Sequence, residues 1–203
     1  MKIQFENVNF NSRSGPNGFG LKLWKFLESR GHKISDDYDV LISFIESRIY
    51  EPKKVLRLDG IYFSTRSDWK KENYLIEKSY NESAQVIVQS EFDRKLISKY
   101  FGERQEVSVI KNGTLLDVIS KIPKAEINFP QKPNKIWLSA SRWRPHKRLV
   151  SNIELFKKFS EIGDVMVVAG KNPGTSLRED NVFYIGDLSW SNLISVMKRA
   201  DNF

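Results

Sequence analysis

Cysteine is absent from this 203-residue chain, and histidine occurs only twice. The first absence excludes disulfide bonds, thiolate catalysis and cysteine-ligated zinc. His32 and His146 have no carboxylate or further histidine at ligand spacing, which argues against a metal site. Residues 36–39, DDYD, resemble an Asp-X-Asp metal motif, but they precede a predicted strand instead of following one. A turn before that strand is the favoured interpretation, and we expect no metal and no resident cofactor.

Long apolar runs are also absent. No run reaches the roughly 18 residues that indicate a membrane-spanning helix, and the N-terminus, MKIQFENVNF, lacks the apolar core of a signal peptide. We therefore expect a cytoplasmic protein. The sequons at Asn81 and Asn112 are then expected to be chance matches, because a cytoplasmic chain does not meet the glycosylation machinery.

The composition that is present is typical of a globular protein with a basic surface. Hydrophobic residues make up 40% of the chain and charged residues 29%, so an apolar core can form and disorder is not expected. The formal net charge is +8, from 33 Lys and Arg against 25 Asp and Glu. This excess favours an anionic partner without saying which kind.

Short apolar runs alternate with amphipathic stretches along the chain, which predicts parallel β-sheets covered by helices, an α/β fold. The alternation stops at residues 121–134, a proline-containing stretch without periodicity, and then restarts. We therefore predict two Rossmann-like domains, at 1–120 and 135–203, joined by a linker at 121–134. The second domain offers only three predicted strands, so we expect it to be incomplete in this chain.

Glycines and cations mark one candidate anion site in each predicted domain. Gly15, Gly18 and Gly20 lie just before a predicted helix, where free backbone N–H groups attract anions, although an ordinary turn is the favoured interpretation of these glycines taken alone. In the second domain, residues 139–156, SASRWRPHKRLVSNIELF, follow a strand and precede a helix. The carboxyl edge of an open α/β sheet is where ligands bind.

Within this basic stretch, Arg142 and Lys147 stand five residues apart across a loop that contains Pro145. Their heads could converge on one phosphate, because a guanidinium fork and an ammonium are complementary phosphate ligands. A solvated basic loop is the alternative. Nucleic-acid binding is disfavoured, because three of the five tryptophans fall within predicted elements and no recognition motif is present.

Several stretches, in order, resemble the retaining glycosyltransferases of the GT-B fold, specifically family four (glycosyl transferases group 1). The similar stretches are SGPNGFGLKLWKFLESRGHKI, RLDGIYF, LIEKSYNESAQVIVQSEFDRKLISKYFG, VSVIKNGTLLDV, IWLSASRWRPHKRLVSNIELFKKF, VVAGKN and VFYIGDLSWSNLISVMKRADNF. The resemblance implies metal-independent transfer of a sugar, with retention, from a nucleotide diphosphate sugar to a glycan, lipid-linked or small-molecule acceptor. We expect no nucleic-acid partner, and a lipid-linked acceptor could bring the basic surface to a membrane.

The same resemblance assigns site residues. Arg142 and Lys147 would hold the donor diphosphate, and Asp59 would orient acceptor or donor hydroxyls. The remaining assignments concern nucleotide binding: the phosphate-facing segment and the nucleoside-facing positions are Gly15, Pro16, Asn17, Gly18, Gly170, Ile185 and Gly186. The family's second domain normally continues into two glutamates eight positions apart, and this chain has no such stretch. The resemblance therefore leaves an alternative, a truncated, non-catalytic relative that binds a nucleotide sugar or a partner chain. A second chain of this kind could complete the second domain.

Overall fold

The computed structural model describes residues 1–12, 15–64, 66–114, 116–171 and 180–203. It divides the chain into two compact units, Met1–Gly113 (unit 1) and Thr114–Phe203 (unit 2). The described strands of each unit form a wholly parallel sheet. The predicted α/β fold class is therefore confirmed. Within the described residues, no helix combines the length and the apolar character that crossing a bilayer would require.

Unit 1 is built on a six-stranded sheet with the order β2-β1-β3-β4-β5-β6. Because β2 and β3 flank β1, the strand order reverses beside β1, and ligands bind outside the carboxyl ends of the strands at such a point. Helix α1 follows β1, so its first turn lies at this edge. The described elements are β1 (Lys2–Glu6), α1 (Gly15–Ser29), β2 (Lys33–Ile34), β3 (Val40–Phe44), β4 (Lys54–Leu58), α2 (Trp69–Glu82), β5 (Gln85–Val88), α3 (Glu91–Phe101) and β6 (Val107–Val109).

The core of unit 1 lies between this sheet and the helices α2 and α3. Leu56 and Leu58 of β4 are fully buried against Ile76, Tyr80 and Ile97 of these helices. The sequence predicted α3 with Ser90 as its cap, and the Ser90 hydroxyl does accept the Asp93 backbone N–H at 3.1 Å. Helix α2 was not predicted, because half of its buried positions are polar and hide the apolar stripe. Its buried residues are Asn73, Ile76, Ser79 and Tyr80.

Unit 2 contains a three-stranded sheet with the order β7-β8-β9. Residue Asn202 pairs in parallel with Trp137 of β7, and the Leu138 N–H donates to the Asn202 carbonyl oxygen at 2.9 Å. Asn202 pairs with the edge of β7 that faces away from β8. The order in which the chain adds segments to the sheet therefore reverses at β7. The described elements are α4 (Leu116–Lys121), β7 (Ile136–Ala140), a 3-10 turn (Pro145–Lys147), α5 (Leu149–Phe159), β8 (Val165–Ala169), β9 (Val182–Gly186) and α6 (Trp190–Arg199).

The segment that the sequence analysis assigned to a linker, residues 121–134, lies along unit 2. The Ala125 N–H donates to the Ser195 carbonyl oxygen of α6 at 3.0 Å, and the Ser195 hydroxyl donates to the Pro123 carbonyl oxygen at 2.7 Å. Phe129 packs edge-on against Phe183 of β9, with 5.2 Å between ring centroids. The apolar side chains of residues 121–134 therefore cover one face of the unit 2 core.

Asp164, which is 2% exposed, holds the turn between α5 and β8. Its Oδ2 accepts the Trp137 indole N–H and the Glu161 backbone N–H, each at 3.1 Å. Burial raises the pKa of Asp164, but these two hydrogen bonds and the charge of Lys135 outweigh burial and leave the pKa below its ordinary value. The ionised form is therefore stabilised by folding.

We expect Asp164→Ala to lower the free energy of unfolding of unit 2 by about 2–4 kcal/mol at pH 7, because two charge-assisted hydrogen bonds are lost. Asp164→Asn is the matched control, since it keeps an oxygen acceptor and loses only the charge. A depressed folded pKa contributes stability above the unfolded value near 4, which is lost as the pH falls through the folded value. The difference between wild type and Asp164→Asn in urea unfolding should therefore shrink below about pH 4; a constant difference would contradict this role.

Candidate functional site

The basic loop of unit 2, residues 141–148, is anchored by a buried tryptophan. Trp143 is 6% exposed and packs into the core formed by α5, β8 and β9. Its indole N–H donates to the Ala169 carbonyl oxygen at 3.0 Å, and its backbone N–H donates to the Lys171 carbonyl oxygen at 3.1 Å. The buried Trp143 side chain thus fixes the middle of the basic loop, and the charged residues of the loop lie before and after Trp143 in the sequence.

The predicted phosphate ligands Arg142 and Lys147 lie on this loop, and both side chains are exposed. Arg142 directly precedes the Trp143 anchor, while Lys147 closes the 3-10 turn, its N–H donating to the Arg144 carbonyl oxygen at 2.8 Å. Among the described residues, neither cation forms an ion pair. The loop therefore presents two positive charges that the described part of the fold does not neutralise.

Helix α5 begins directly after the loop. Arg148 is its cap residue in the left-handed conformation, with φ of 55°, and its carbonyl oxygen accepts the Asn152 N–H at 3.0 Å. The Asn152 side chain donates to the Ser139 hydroxyl at 3.0 Å, which ties the first turn of α5 to the carboxyl end of β7. The sequence predicted a helix from about Lys147; the left-handed Arg148 breaks it into the 3-10 turn and α5. The positive end of α5 thus adds to the charge of the loop.

Gly170, Ile185 and Gly186, the predicted nucleoside-facing positions, lie at the carboxyl ends of β8 and β9. The Gly170 N–H donates to the Gly186 carbonyl oxygen at 2.6 Å. Gly170 has φ of +118°, and a Cβ there would lie 1.7 Å from the Ser141 carbonyl oxygen. The three strand ends of unit 2 therefore meet backbone to backbone, and only glycine fits at residue 170.

The predicted anion-binding segment of unit 1, Gly15, Pro16, Asn17 and Gly18, forms the first turn of α1 instead of a loop. Pro16 accounts for the early start, since a proline with fixed φ suits the first helical turn. The Asn17 side-chain oxygen accepts the Asn9 N–H at 2.9 Å, which ties the turn to the segment after β1. Gly15 and Gly18 face open space, with no heavy atom within 4 Å of an added Cβ.

Gly20 differs from these two glycines, because an added Cβ would lie 2.6 Å from the Val8 Cγ1 atom. We expect Gly20→Ala to destabilise the fold by about 1–3 kcal/mol through this overpacking. Gly18→Ala is the matched control: it should leave stability unchanged or raise it by up to about 1 kcal/mol, because alanine favours a helix. Urea unfolding of both variants checks this contrast. Equal losses would contradict the assignment of Gly20 to packing and Gly18 to an open surface.

Asp59, the predicted hydroxyl-orienting residue, lies in unit 1 at the carboxyl end of β4. Its Oδ1 accepts hydrogen bonds from the Arg57 guanidinium and the Gln89 side-chain amide. Arg57 also donates to the Asn112 side-chain oxygen at 3.0 Å, and the Asn112 amide donates to the Gln89 side-chain oxygen. These four side chains form a closed ring, the polar ring, at the ends of three adjacent strands.

The buried member of the polar ring is Arg57, which is 4% exposed. Its guanidinium lies over the Phe19 ring of α1, at 3.9 Å from the centroid, and 5.2 Å from the Phe44 centroid. Burial lowers the pKa of Arg57, while the charge of Asp59 and the hydrogen bond to it act in the opposite direction. Arginine nevertheless stays protonated in proteins, so the polar ring contains one buried positive charge.

Sequence reasoning did not find Arg57, Gln89, Asn112 or Trp143. A signal existed for two of them, since Gln89 directly follows β5 and Asn112 follows β6 by three residues. Polar residues after consecutive parallel strands meet at one edge of the sheet. The structure thus places Gly15–Gly18 and Asp59 at the carboxyl edge of unit 1, and the other predicted site residues at the carboxyl edge of unit 2.

Two aspartates of the stretch considered for metal binding, Asp37 and Asp39, contact the first strand instead. The Lys2 ammonium lies 2.5 Å from Asp37 Oδ2, and the Lys2 backbone N–H donates to Asp39 Oδ2 at 2.8 Å, so two of the three carboxylates of the DDYD stretch bind the first strand. No three histidine, aspartate or glutamate side chains gather as a metal-ligating group in the portion of the chain that the structure describes.

No protein-family model matches the chain, and no curated protein sequence matches it either. Several solved structures, in contrast, are similar to the chain. An α-glucosyltransferase in complex with UDP-glucose and DNA containing an abasic site matches with a TM-score of 0.50 and 12% identity, over 98% of this chain and 70% of that chain.

Two epimerases are also similar in structure. A structure described as a UDP-N-acetylglucosamine 2-epimerase from Listeria monocytogenes matches with 9% identity and a TM-score of 0.47, over 95% of this chain and 58% of that one. Another UDP-N-acetylglucosamine 2-epimerase matches with 10% identity and a TM-score of 0.44, over 93% of this chain and 55% of that one. The chain thus spans little more than half the length of these two epimerases.

The fold assignment is based on the structural similarity to the α-glucosyltransferase. This similarity places the two parallel α/β units in the GT-B-like, Rossmann-type class, as the sequence predicted. At 12% identity a shared fold does not determine an activity, because function resides in site residues grafted on a fold. Membership of glycosyltransferase family four stays a prediction, and so do the roles of the site residues.

Proposed function

We propose that the chain belongs to a glycosyltransferase that uses a nucleotide diphosphate sugar, and that the basic loop of unit 2 binds the donor diphosphate. One observation carries the proposal. Arg142 and Lys147 stand on a loop anchored by Trp143, at the carboxyl end of the strand where the sheet order reverses, without an ion pair to a described residue. A nucleotide diphosphate is an anion of suitable charge for such a loop.

The proposed chemistry is retaining transfer without a metal. As the bond from the sugar to the diphosphate breaks, negative charge grows on the leaving diphosphate and the sugar becomes oxocarbenium-like. The acceptor hydroxyl oxygen would then bond to the anomeric carbon on the face that the diphosphate leaves, and its proton would pass to the leaving diphosphate oxygen. Cations held in place before the reaction stabilise that growing charge more than the ground state, which lowers the barrier. Arg142 would contribute a planar pair of donors and Lys147 a compact charge, and the N-terminal N–H groups of α5 would add a partial positive charge.

The nucleoside would lie along Gly170, Ile185 and Gly186, where Gly186 has no heavy atom within 4 Å of an added Cβ and so leaves space for a ligand. The first turn of α1, from Gly15 to Gly18, would offer a second set of backbone N–H groups to an anion. Because the similar glucosyltransferase structure contains UDP-glucose and DNA, UDP-glucose is the first donor to test. A glycan, a lipid-linked sugar, a small-molecule alcohol and DNA are the acceptors to test beside it.

Proton NMR of the reaction mixture tests the activity and its stereochemistry together. We expect a new anomeric signal with the configuration of the donor and release of the nucleoside diphosphate. An inverted product would contradict retention and leave sugar transfer standing. Donor binding without any product, across the acceptor panel and with added Mg²⁺, would favour the non-catalytic alternative.

A further inference from the structure

The chain contains the dipeptide Asn-Gly twice, at Asn17-Gly18 and at Asn112-Gly113. Asparagine before glycine is the dipeptide most open to deamidation, because glycine has no Cβ to hinder attack by its backbone nitrogen on the asparagine side chain. The attack closes a five-membered ring, and this closure requires rotation about the Cα–C bond of the asparagine. The backbone around each dipeptide therefore decides which of the two reacts.

The two dipeptides lie in different backbone structure. Asn17 and Gly18 belong to the first turn of α1, so rotation of Asn17 away from the helical ψ would break that turn. Asn112 and Gly113 follow β6, outside the helices and strands, and both are exposed. Neither of them forms a backbone-to-backbone hydrogen bond with another described residue. The backbone at Asn112 therefore rotates more easily than the backbone at Asn17.

The polar ring holds the Asn112 side chain with its oxygen on a cation. The Arg57 guanidinium, which is 4% exposed, donates to Asn112 Oδ1 at 3.0 Å. Attack on the Asn112 Cγ atom places negative charge on this oxygen, and a charged donor already aimed at the oxygen stabilises that charge. The Asn17 side-chain oxygen instead accepts the neutral backbone N–H of Asn9 at 2.9 Å. The Asn112 amide is therefore the more reactive of the two.

We infer that Asn112 is a site of spontaneous modification, which deamidates in the folded chain while Asn17 does not. The Gly113 nitrogen bonds to Asn112 Cγ, the Cγ–Nδ2 bond breaks, and Nδ2 leaves as ammonia with the proton that the Gly113 nitrogen loses. Water then opens the resulting succinimide at either carbonyl carbon, which gives aspartate or isoaspartate at position 112.

Deamidation removes a hydrogen-bond donor from the polar ring. The Asn112 side-chain NH₂ donates to the Gln89 side-chain oxygen, and the carboxylate that replaces this amide has only acceptors. In the aspartate product an oxygen faces the Gln89 oxygen, and in the isoaspartate product an added backbone methylene displaces the carboxylate. The ring then holds a second carboxyl group beside Asp59 with one guanidinium, that of Arg57. The modification thus changes the charge and the hydrogen bonding at the carboxyl edge of unit 1, independently of the proposed donor site.

Peptide mass spectrometry of the full chain, incubated for days to weeks at mildly alkaline pH, tests this inference. Conversion raises the mass of the peptide by about one dalton, and the isoaspartate form elutes separately from the aspartate form. In the folded chain we expect conversion at Asn112 and none at Asn17 over the same period. In the urea-unfolded chain both should convert at similar rates, because neither the helix nor Arg57 then acts on them.

Two alanine variants test the ring closure itself. Gly113→Ala should slow the conversion of Asn112 several-fold in the folded chain, because the new Cβ hinders the attacking nitrogen. The fold accepts this alanine, since no heavy atom lies within 4 Å of the added Cβ and the φ of Gly113 is outside the left-handed region. Gly18→Ala is the matched control, and it should leave the conversion of Asn112 unchanged.

Asn112→Asp reproduces the aspartate product and tests its effect on the polar ring. We expect this variant to shift the side-chain NH₂ signals of Gln89 in the NMR spectrum of the ¹⁵N-labelled full chain. Asn17→Asp is the control, because an aspartate still accepts the Asn9 N–H and an acidic residue suits the first turn of a helix. The control should leave the Gln89 signals in place.

Four outcomes would overturn the inference. The first is an Asn112 that stays intact in the folded chain and converts in the unfolded chain, which would show that the ring shields the amide. The others are equal conversion of Asn17 and Asn112 in the folded chain, a Gly113→Ala rate equal to that of the wild type, and Gln89 signals that do not move in Asn112→Asp. Because no nucleotide takes part in these measurements, their failure would leave the proposed function standing.

Discussion

Replacing Arg142 and Lys147 together with glutamine should weaken binding of a nucleoside diphosphate by about 10²–10⁴-fold, since each charged hydrogen bond contributes roughly 1.5–3 kcal/mol. The fold should persist, because both side chains are exposed and the anchor of the loop, Trp143, is untouched. Calorimetric titration gives the affinity and thermal unfolding gives the stability. Each single variant should lose about one half of the free energy lost by the double variant.

A charge-matched double variant separates the two predicted ligands from the general basicity of the chain. Arg144→Gln combined with Lys158→Gln removes the same two charges from exposed positions, one on the loop and one in the last turn of α5. We expect this control to retain affinity within about threefold, because screened surface charges steer a ligand weakly. Equal losses in both double variants would show that net charge, and not a defined diphosphate site, attracts the nucleotide.

Gly170→Ala should destabilise unit 2 by at least about 4 kcal/mol, among the largest effects of a single substitution. The new Cβ would lie 1.7 Å from the Ser141 carbonyl oxygen, and the φ of +118° disfavours any side chain. Relief would require Ser141 to move, and Ser141 leads into the loop that carries Arg142. Urea unfolding followed by tryptophan fluorescence reports the loss, since Trp137 and Trp143 both belong to the unit 2 core.

Gly186→Ala is the control for this substitution. Gly186 has φ of +74° but no heavy atom within 4 Å of an added Cβ, so only the left-handed backbone is penalised. We expect a loss of about 1–2 kcal/mol. A Gly170→Ala variant no less stable than Gly186→Ala would contradict the close approach of the β7 and β8 strand ends that supports the basic loop.

The regular elements could be predicted where periodicity and burial agree. Strand β8, VMVVA, is buried at every position, and helix α5 buries Leu149, Ile153 and Phe156 at helical spacing. Helix α2 could not be predicted in this way, because the polar residues Asn73 and Ser79 occupy two of its buried positions. Each forms a hydrogen bond to a distant segment, Asn73 with Tyr62 and Ser79 with Ser47. Such partners depend on tertiary structure, which a single helical stretch does not encode.

The candidate site was predictable only where its residues are close in sequence. Arg142 and Lys147 share one loop, so their spacing could be read directly. The polar ring joins Arg57 to Asn112 across 55 positions, and it exists because β4, β5 and β6 are neighbours in register. Trp143 gives no local sign of its role, since the carbonyl oxygens that hold it belong to residues 169 and 171. Strand order had to be known before these contacts could be found.

Calorimetric titration of the wild-type chain with UDP, ADP and GDP, each beside its nucleoside, tests the central claim most directly. The claim is that the basic loop of unit 2 is a diphosphate site of a nucleotide-sugar enzyme. We predict one-to-one binding of at least one nucleoside diphosphate, about 100-fold or more tighter than its nucleoside, because two charged ligands lose their partner without the phosphates. Binding of none of the three, or equal affinity for nucleoside and diphosphate, would contradict the claim.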